Sequence, residues 1–310
     1  MTQTHIPVLD WSRFTSESDK AGFVADLSQA CRDTGFFLVT GHGIPQSMIE
    51  DTLAAADQFF ALPVAEKAKL DIRTVGNNRG WSGPGTENLD DSKPDQIDRK
   101  EAFNTGLEFS PDDPRLTEQP FRGMNAWPDL PGFRDTVMSY FEAVHALGVD
   151  LHRAIALDLD LPEHYFAPFF DEPLATLRML RYPGGGGEGI GAGAHTDYGS
   201  LTVLYSDGEP GLQVQPRGKD WIDVPSIPGA FVINIADCLM RWTNDIYVST
   251  PHQVKVPKNT RRSLAFFLDP NPNAVIEALP GTGSAKYPPV TGAEYLKMRL
   301  DATYSEKITT

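Results

Sequence analysis

A chain of 310 residues, 40% of them apolar and 22% charged, is long enough to bury a sizeable core in one β-rich, enzyme-sized unit. Its 27 Lys and Arg against 42 Asp and Glu leave a net charge of −15 without a long acidic block, which argues against the concentrated basic surface that nucleic acid or an anionic membrane demands. The start, MTQTHIPVLDWSRF, lacks the basic-then-apolar pattern of a secretory leader, and no run approaches the ~20 apolar residues of a bilayer span. The expectation is a cytoplasmic protein acting on a small molecule, with no nucleic-acid or membrane partner and the oligomeric state left open.

In chain order, IPVLDW (residues 6–11) reads as a short strand. SESDKAGFVADLSQACRDTGF (16–36) opens with Ser and acidic residues before apolar positions at helical spacing, so a first helix begins there. FFLVTGHGI is a β-type run closed by a Gly-rich turn, and QSMIEDTLAAADQFFALPVAEKAKL is a second helical stretch punctuated by Pro63. Residues 75–131 are rich in Gly, Pro, Asn and Asp and read mostly as loop, with one alternating patch, RKEAFNTGLEF, as a strand. From Phe133 to Leu159, apolar residues at three-to-four-residue spacings, with Gly148 in the same stripe, predict a long core-facing helix.

The pattern changes after Pro173. ATLRMLRYP, SLTVLYSD, GLQVQ, DWIDV, AFVINIA, CLMRWT, HQVKV and RRSLAFFLD are short β-type runs separated by turn residues, with no helix expected among them. Eight such runs in succession predict an antiparallel barrel or jelly roll rather than alternating β and α units. YLKMRLDATY near the end is a closing helix. Cys31 and Cys238 are too few for a disulfide scaffold or a CxxC metal site and read as buried thiols.

The loop PGGGGEGIGAG (183–193) contains GxGxxG at Gly184, Gly186 and Gly189. A dinucleotide fingerprint must open a helix, whereas this loop leads into AHTDYGSLTVLY, so it reads as a flexible rim of a pocket. In that next segment His195 and Asp197 stand two apart, on one face of an extended chain, and so aim at one point. Among the other histidines, His145 and His152 share a helical face without an acidic partner at metal spacing, and turn chemistry accounts for His42. His252, in STPHQVKV, lies on a strand of the same β-rich region. Two imidazoles and one carboxylate on one side of a metal leave the opposite positions open, as in non-haem Fe(II) oxygenases; zinc hydrolysis uses similar ligands but commonly on a helical HExxH frame, absent here. In KNTRRSLAFFLDP, Arg261 and Ser263 share a strand face with Ala265 and Phe267, and Arg262 points away. The planar fork of Arg261 with an adjacent hydroxyl suits the far carboxylate of a metal-chelating 2-oxo acid.

With these motifs in order (IPVLD, GFFLVTGHGIP, RYP, HTDYGSLTVL, GLQV, TND, PHQV and RRSLAFFLDP), nearly the whole chain resembles the 2-oxoglutarate and Fe(II)-dependent dioxygenases of the isopenicillin N synthase-like group. The resemblance implies a mainly β fold with flanking helices, its core a double-stranded β-helix. It implies one structural unit, in which 1–130 packs on the core and 131–310 supplies the long helix and that β-helix. His195, Asp197 and His252 are the implied iron ligands, Arg261 and Ser263 hold the C5 carboxylate of 2-oxoglutarate, and Tyr182 adds a phenolic hydrogen bond. Leu180-Arg181-Tyr182-Pro183 stands where many plant members have Asn-Tyr-Tyr-Pro, which removes an amide partner.

The implied activity uses Fe(II), O2 and 2-oxoglutarate to oxidise a small organic substrate by hydroxylation, desaturation or cyclisation, releasing succinate and CO2. Phe267, Phe103, Arg178 and Trp81 are the candidate substrate contacts. The competing readings are a four-electron oxidase that uses no 2-oxo acid, as in the family's namesake, and a non-catalytic β-helix protein that binds a metal or small ligand.

Overall fold

The computed structural model describes residues 5–16, 18–86, 100–185 and 189–305. The first β-type runs form β1 (Val8–Asp10) and β2 (Phe36–Thr40). The 75–131 region contributes β3 (Gly80–Ser82) and β4 (Glu101–Gly106), the latter within the alternating patch whose Arg99 lies outside the described residues. After Pro173 come β5 (Thr176–Tyr182), β6 (Ile190–His195), β7 (Leu201–Ser206), β8 (Leu212–Val214), β9 (Ile222–Asp223), β10 (Phe231–Ile235), β11 (His252–Lys255) and β12 (Arg261–Leu268).

These strands form two facing sheets. One has the order β1-β2-β10-β7-β12-β5-β4-β3 and the other β6-β11-β8-β9. Pairing is antiparallel throughout these sheets except between β1 and β2. The amino-terminal region therefore extends the large sheet at both edges.

Period-two alternation gives the large sheet two different faces. Phe37, Val39, Phe103, Leu177, Met179, Val203, Ile233, Leu264 and Phe266 point to one side and pack on helices Lys20–Asp33, Gln46–Phe60 and Phe133–Asp158. Their sequence neighbours Phe36, Leu38, Ala102, Leu180, Tyr182, Val232 and Ala265 point to the other, where they meet Ala192, Leu212, Val214 and Val254 of the small sheet. The space between the sheets opens into the cavity described below. The long helix lies close on β12: a Cβ added to Gly148 would come 2.7 Å from Leu268 Cδ2, which explains the glycine in its apolar stripe.

Two expectations are corrected. The CLMRWT run is the helix Asp237–Trp242, not a strand. A six-residue apolar run does not by itself separate a strand from a buried helical turn; here Cys238, Leu239 and Trp242 are all buried, and backbone bonds from Asp237 and Cys238 to the 197–199 turn fix the helix start. The glycine loop ends earlier than expected, because β6 begins at Ile190. Gly191 lets it approach closely: its added Cβ would lie 3.3 Å from Lys255 O and from Tyr182 Cδ1. Gly186 of the GxGxxG match lies outside the described residues. The closing helix is Gly292–Ser305, and both cysteines are buried free thiols, their pKa values raised chiefly by burial. No helix among the described residues is long and apolar enough to cross a membrane.

Candidate metal centre and cosubstrate pocket

His195 ends β6 and His252 begins β11, and the two are direct register partners. Asp197 follows in the turn after β6. One ligand atom from each of the three lies within 4.8 Å of the others. The Asp197 Oδ1 atom is 3.7 Å from His195 Nε2 and 3.6 Å from His252 Nε2. Each ring is oriented from behind. His195 Nδ1 donates to the Gly193 carbonyl at 2.7 Å and His252 Nδ1 to the Thr250 carbonyl at 3.3 Å, leaving both Nε2 lone pairs directed at the shared point. Phe36 packs edge-on against His252.

Asp197 is 6% exposed, and its second oxygen accepts from Thr202 Oγ1 at 2.5 Å and Asn234 Nδ2 at 2.8 Å. Burial opposes its ionisation, but the His252 and His195 imidazoles and these two donors outweigh it, so the carboxyl ionises below its ordinary range. Burial, reinforced by His252, holds His195 down at about 4, so that its imidazole is neutral at physiological pH. A carboxylate at Asp197 and a neutral imidazole at His195 are protonation states a metal needs. Sequence reasoning does not single out Thr202 and Asn234. The available signal is a polar side chain inside each of the apolar runs SLTVLY and AFVINI, since buried polar groups are there to be paired.

A cavity of about 1150 Å³ opens over these three residues. Arg261, Ser263, Ala265 and Phe267 enter it from one face of β12, and Arg178, Leu180 and Tyr182 from the adjoining β5. Arg261 is 1% exposed. Its Nη1 donates to Ser263 Oγ at 3.3 Å, its guanidinium lies 5.2 Å from the centre of the Tyr182 ring, and its buried Nε has no acceptor. Among the described residues no carboxylate pairs with it. Burial lowers its pKa from the ordinary arginine value, yet it stays a cation. An inward cation without a counterion is costly alone and fits an incoming carboxylate. Arg262 points away, to Asp57 at 2.6 Å and Asp207 at 3.0 Å.

The structure brings Phe267 and Arg178 to this cavity but not Phe103 or Trp81. Phe103 pairs with Met179 and Trp81 with Phe103, which puts both on the helix face of the large sheet. Phe103 packs between Phe59 and Phe133; the Trp81 indole donates to Glu101, which also pairs with Lys67 at 2.7 Å. His42, His145 and His152 are held by local partners away from the triad. Asp269 is a further cavity residue that sequence reasoning misses; burial first, and the Asp197 charge second, raise its pKa to about 7.

Comparison with known proteins agrees with this geometry. Residues 173–270 match the 2OG-Fe(II) oxygenase superfamily, and residues 6–130 match the non-haem dioxygenase in morphine synthesis N-terminal family. The chain belongs to the 2-oxoglutarate–Fe(II) oxygenases. A 2-oxoglutarate-Fe(II) type oxidoreductase of Emericella nidulans is 36% identical, over 98% of this chain and 92% of that protein. Among solved structures, a full-length Neurospora crassa protein in complex with alpha-KG and thymine superposes with a TM-score of 0.85 at 32% identity, covering 96% of this chain and 97% of that one. A 2OG-Fe(II) oxygenase family protein from Caulobacter crescentus gives 0.88 at 29%, covering 97% and 100%. As a 2-oxoglutarate–Fe(II) oxygenase the chain is an oxidoreductase that uses iron, 2-oxoglutarate and O2, and its two facing sheets are the jelly roll of that family.

Proposed function

We propose that His195, Asp197 and His252 hold the iron and that Arg261, Ser263 and Tyr182 hold the far carboxylate of 2-oxoglutarate. The observation that carries this is the pairing of a three-ligand cluster with a buried, counterion-free arginine in one cavity. When bound, iron with 2-oxoglutarate and O2 supplies an oxidative decarboxylation to succinate and CO2 that drives oxidation of a second, small organic molecule.

The chain's own residues set the geometry. Gly193 and Thr250 carbonyls fix the two imidazoles, Thr202 and Asn234 fix the carboxylate, and ligands from one side leave room for cosubstrate and oxygen. Arg261 supplies the fork, and Ser263 a hydroxyl beside it. Leu180, Leu204, Leu212, Ala265 and Phe267 give the cavity an apolar stretch of wall beside its charged groups, which limits water around the reacting groups. The volume suits a metabolite, and the acidic chain favours a free small molecule over nucleic acid or membrane.

Succinate release measured against a metabolite panel tests this reading. Fe(II)- and 2-oxoglutarate-dependent succinate above the substrate-free level, one per molecule oxidised, is the expected result. Oxidation of a substrate without succinate would leave the four-electron oxidase in its place.

A further inference from the structure

This inference rests on the oxygenase reading and extends it to the class of the organic substrate. Among the described residues, the cavity lining carries the cations Arg73, Arg79, Lys100, Arg178, Arg261 and Arg299 against the carboxylates Asp197 and Asp269. That bias runs opposite to a chain with 42 acidic and 27 basic residues. Other cations have duties of their own. Arg73 pairs with Asp71 at 2.6 Å and Arg299 with Asp237 at 2.7 Å, Lys100 and Arg178 have partners too, and Arg261 is assigned to the cosubstrate.

Arg79 differs. It is 5% exposed, its Nη1 donates to the Asn77 and Asn78 carbonyls at 3.2 Å each, and its buried Nε has no acceptor. Among the described residues no carboxylate pairs with it. Burial and the like charge of Arg122 hold its pKa down to about 10, so it remains charged at neutral pH. Gly106 on β4 leaves the space it occupies: a Cβ there would overlap Nη2. Asn77, Asn78 and Phe121, which also line the cavity, hold φ values of 50°, 58° and 60°, a strained backbone for non-glycine residues. With Nη1 committed to carbonyls, Nε and Nη2 are the donors of the fork left without an acceptor among the described residues, and two parallel donors match the two oxygens of a carboxylate.

We propose that Arg79 receives a carboxylate of the organic substrate, so that this enzyme oxidises small carboxylic acids, bound in the cavity together with 2-oxoglutarate. The test measures binding by saturation-transfer NMR and calorimetry to anaerobic protein loaded with Fe(II) and saturating 2-oxoglutarate, so that Arg261 is already engaged. The probes are benzoate, hexanoate and cyclohexanecarboxylate, each against its isosteric amide. At least one acid is expected to bind roughly tenfold or more tightly than its amide, as a charge-assisted hydrogen bond provides. That preference is expected to vanish in Arg79→Gln, to survive in part in Arg79→Lys, and to be lost in Gly106→Ala, which displaces the guanidinium while keeping its charge.

If no acid outperforms its amide, or the preference persists in Arg79→Gln, the proposal is overturned. A purely structural role for Arg79 would instead weaken acids and amides alike. Succinate formation by the same preparation, aerated and given the metabolite panel, separates the two levels: its absence counts against the oxygenase reading, whereas its presence without an acid preference counts against Arg79 alone.

Discussion

His195 and His252 face each other across β6 and β11 as direct register partners, their rings 4.3 Å apart. Ladder hydrogen bonds, not loop conformations, therefore set the spacing of two of the three ligands. Removing either imidazole as His195→Ala or His252→Ala should abolish turnover and lower Fe(II) affinity, with the far-UV spectrum and cooperative melting of the metal-free protein retained. Loss of cooperative unfolding would instead make these residues structural.

The donors behind Asp197 are expected to matter almost as much. Asn234→Ala or Thr202→Val removes a bond to the carboxylate oxygen that faces away from the histidines. Metal affinity should fall by about 10–100-fold while the overall fold persists. Competition with a fluorescent chelator gives the number, and unchanged affinity would show that neither donor orients the ligand.

Arg261→Ala should raise the KM for 2-oxoglutarate by about a hundredfold, because charge-assisted hydrogen bonds of ~1.5–3 kcal/mol each are lost. The effect on kcat at saturation should be smaller. In the metal-free, ligand-free protein the same change removes a buried cation with no counterion, so the melting temperature should not fall steeply. Thermal melts with and without 2-oxoglutarate show both effects; an unaltered ligand-induced shift would remove the assignment.

Phe103 and Phe267 lie on opposite faces of the large sheet and predict opposite phenotypes. Phe103→Ala should cost about 3–5 kcal/mol of stability with substrate KM nearly unchanged in the folded fraction. Phe267→Ala, on a half-buried side chain in the cavity, should cost less stability and shift substrate KM or the ratio of succinate to product. Denaturant melts paired with steady-state kinetics distinguish the two.

His152 is 1% exposed, donates to the Gly148 carbonyl and accepts from Ser200 Oγ, each at 2.7 Å; burial lowers its pKa from the ordinary 6.5 to about 4. The unfolded chain therefore takes up this proton first. Above pH 6.5 the residue leaves stability independent of pH, and between 6.5 and 4 it destabilises the fold as pH falls, by on the order of 3 kcal/mol in total. Urea melts of the protein and of His152→Gln at pH 7 and pH 4.5 should show a shallower pH dependence in the variant. Equal slopes would place the acid sensitivity elsewhere.

Much of the site is readable because its chemistry is written at the strand period. His195 and Asp197, and Arg261, Ser263 and Phe267, are spaced two or four apart, and an inward-facing set follows from that spacing once β structure is recognised. The phase of an isolated short strand is harder to read. EAFNTG carries apolar and polar residues on both faces, so nothing local tells whether Phe103 or Ala102 and Asn104 look toward the cavity; the pairing of Phe103 with Met179 decides it. CLMRWT misleads because both conformations bury the same few side chains. Arg79 and Asp269 are invisible in sequence, because a charged residue beside a turn is ordinarily solvated and only the tertiary structure brings them to the cavity.

The alternation along β12, with Arg261, Ser263, Ala265 and Phe267 interleaved with Leu264, Phe266 and Leu268, constrains how this protein can change over generations. Specificity can drift through single replacements on one side of the strand while the other continues to anchor the scaffold. A one-residue insertion or deletion there would exchange the two sides beyond it, pushing leucines toward the iron and polar groups under the helices. Length in β12 is thus the quantity inheritance must guard, together with Arg261 and Ser263, while residue identity at Ala265 and Phe267 is free to explore.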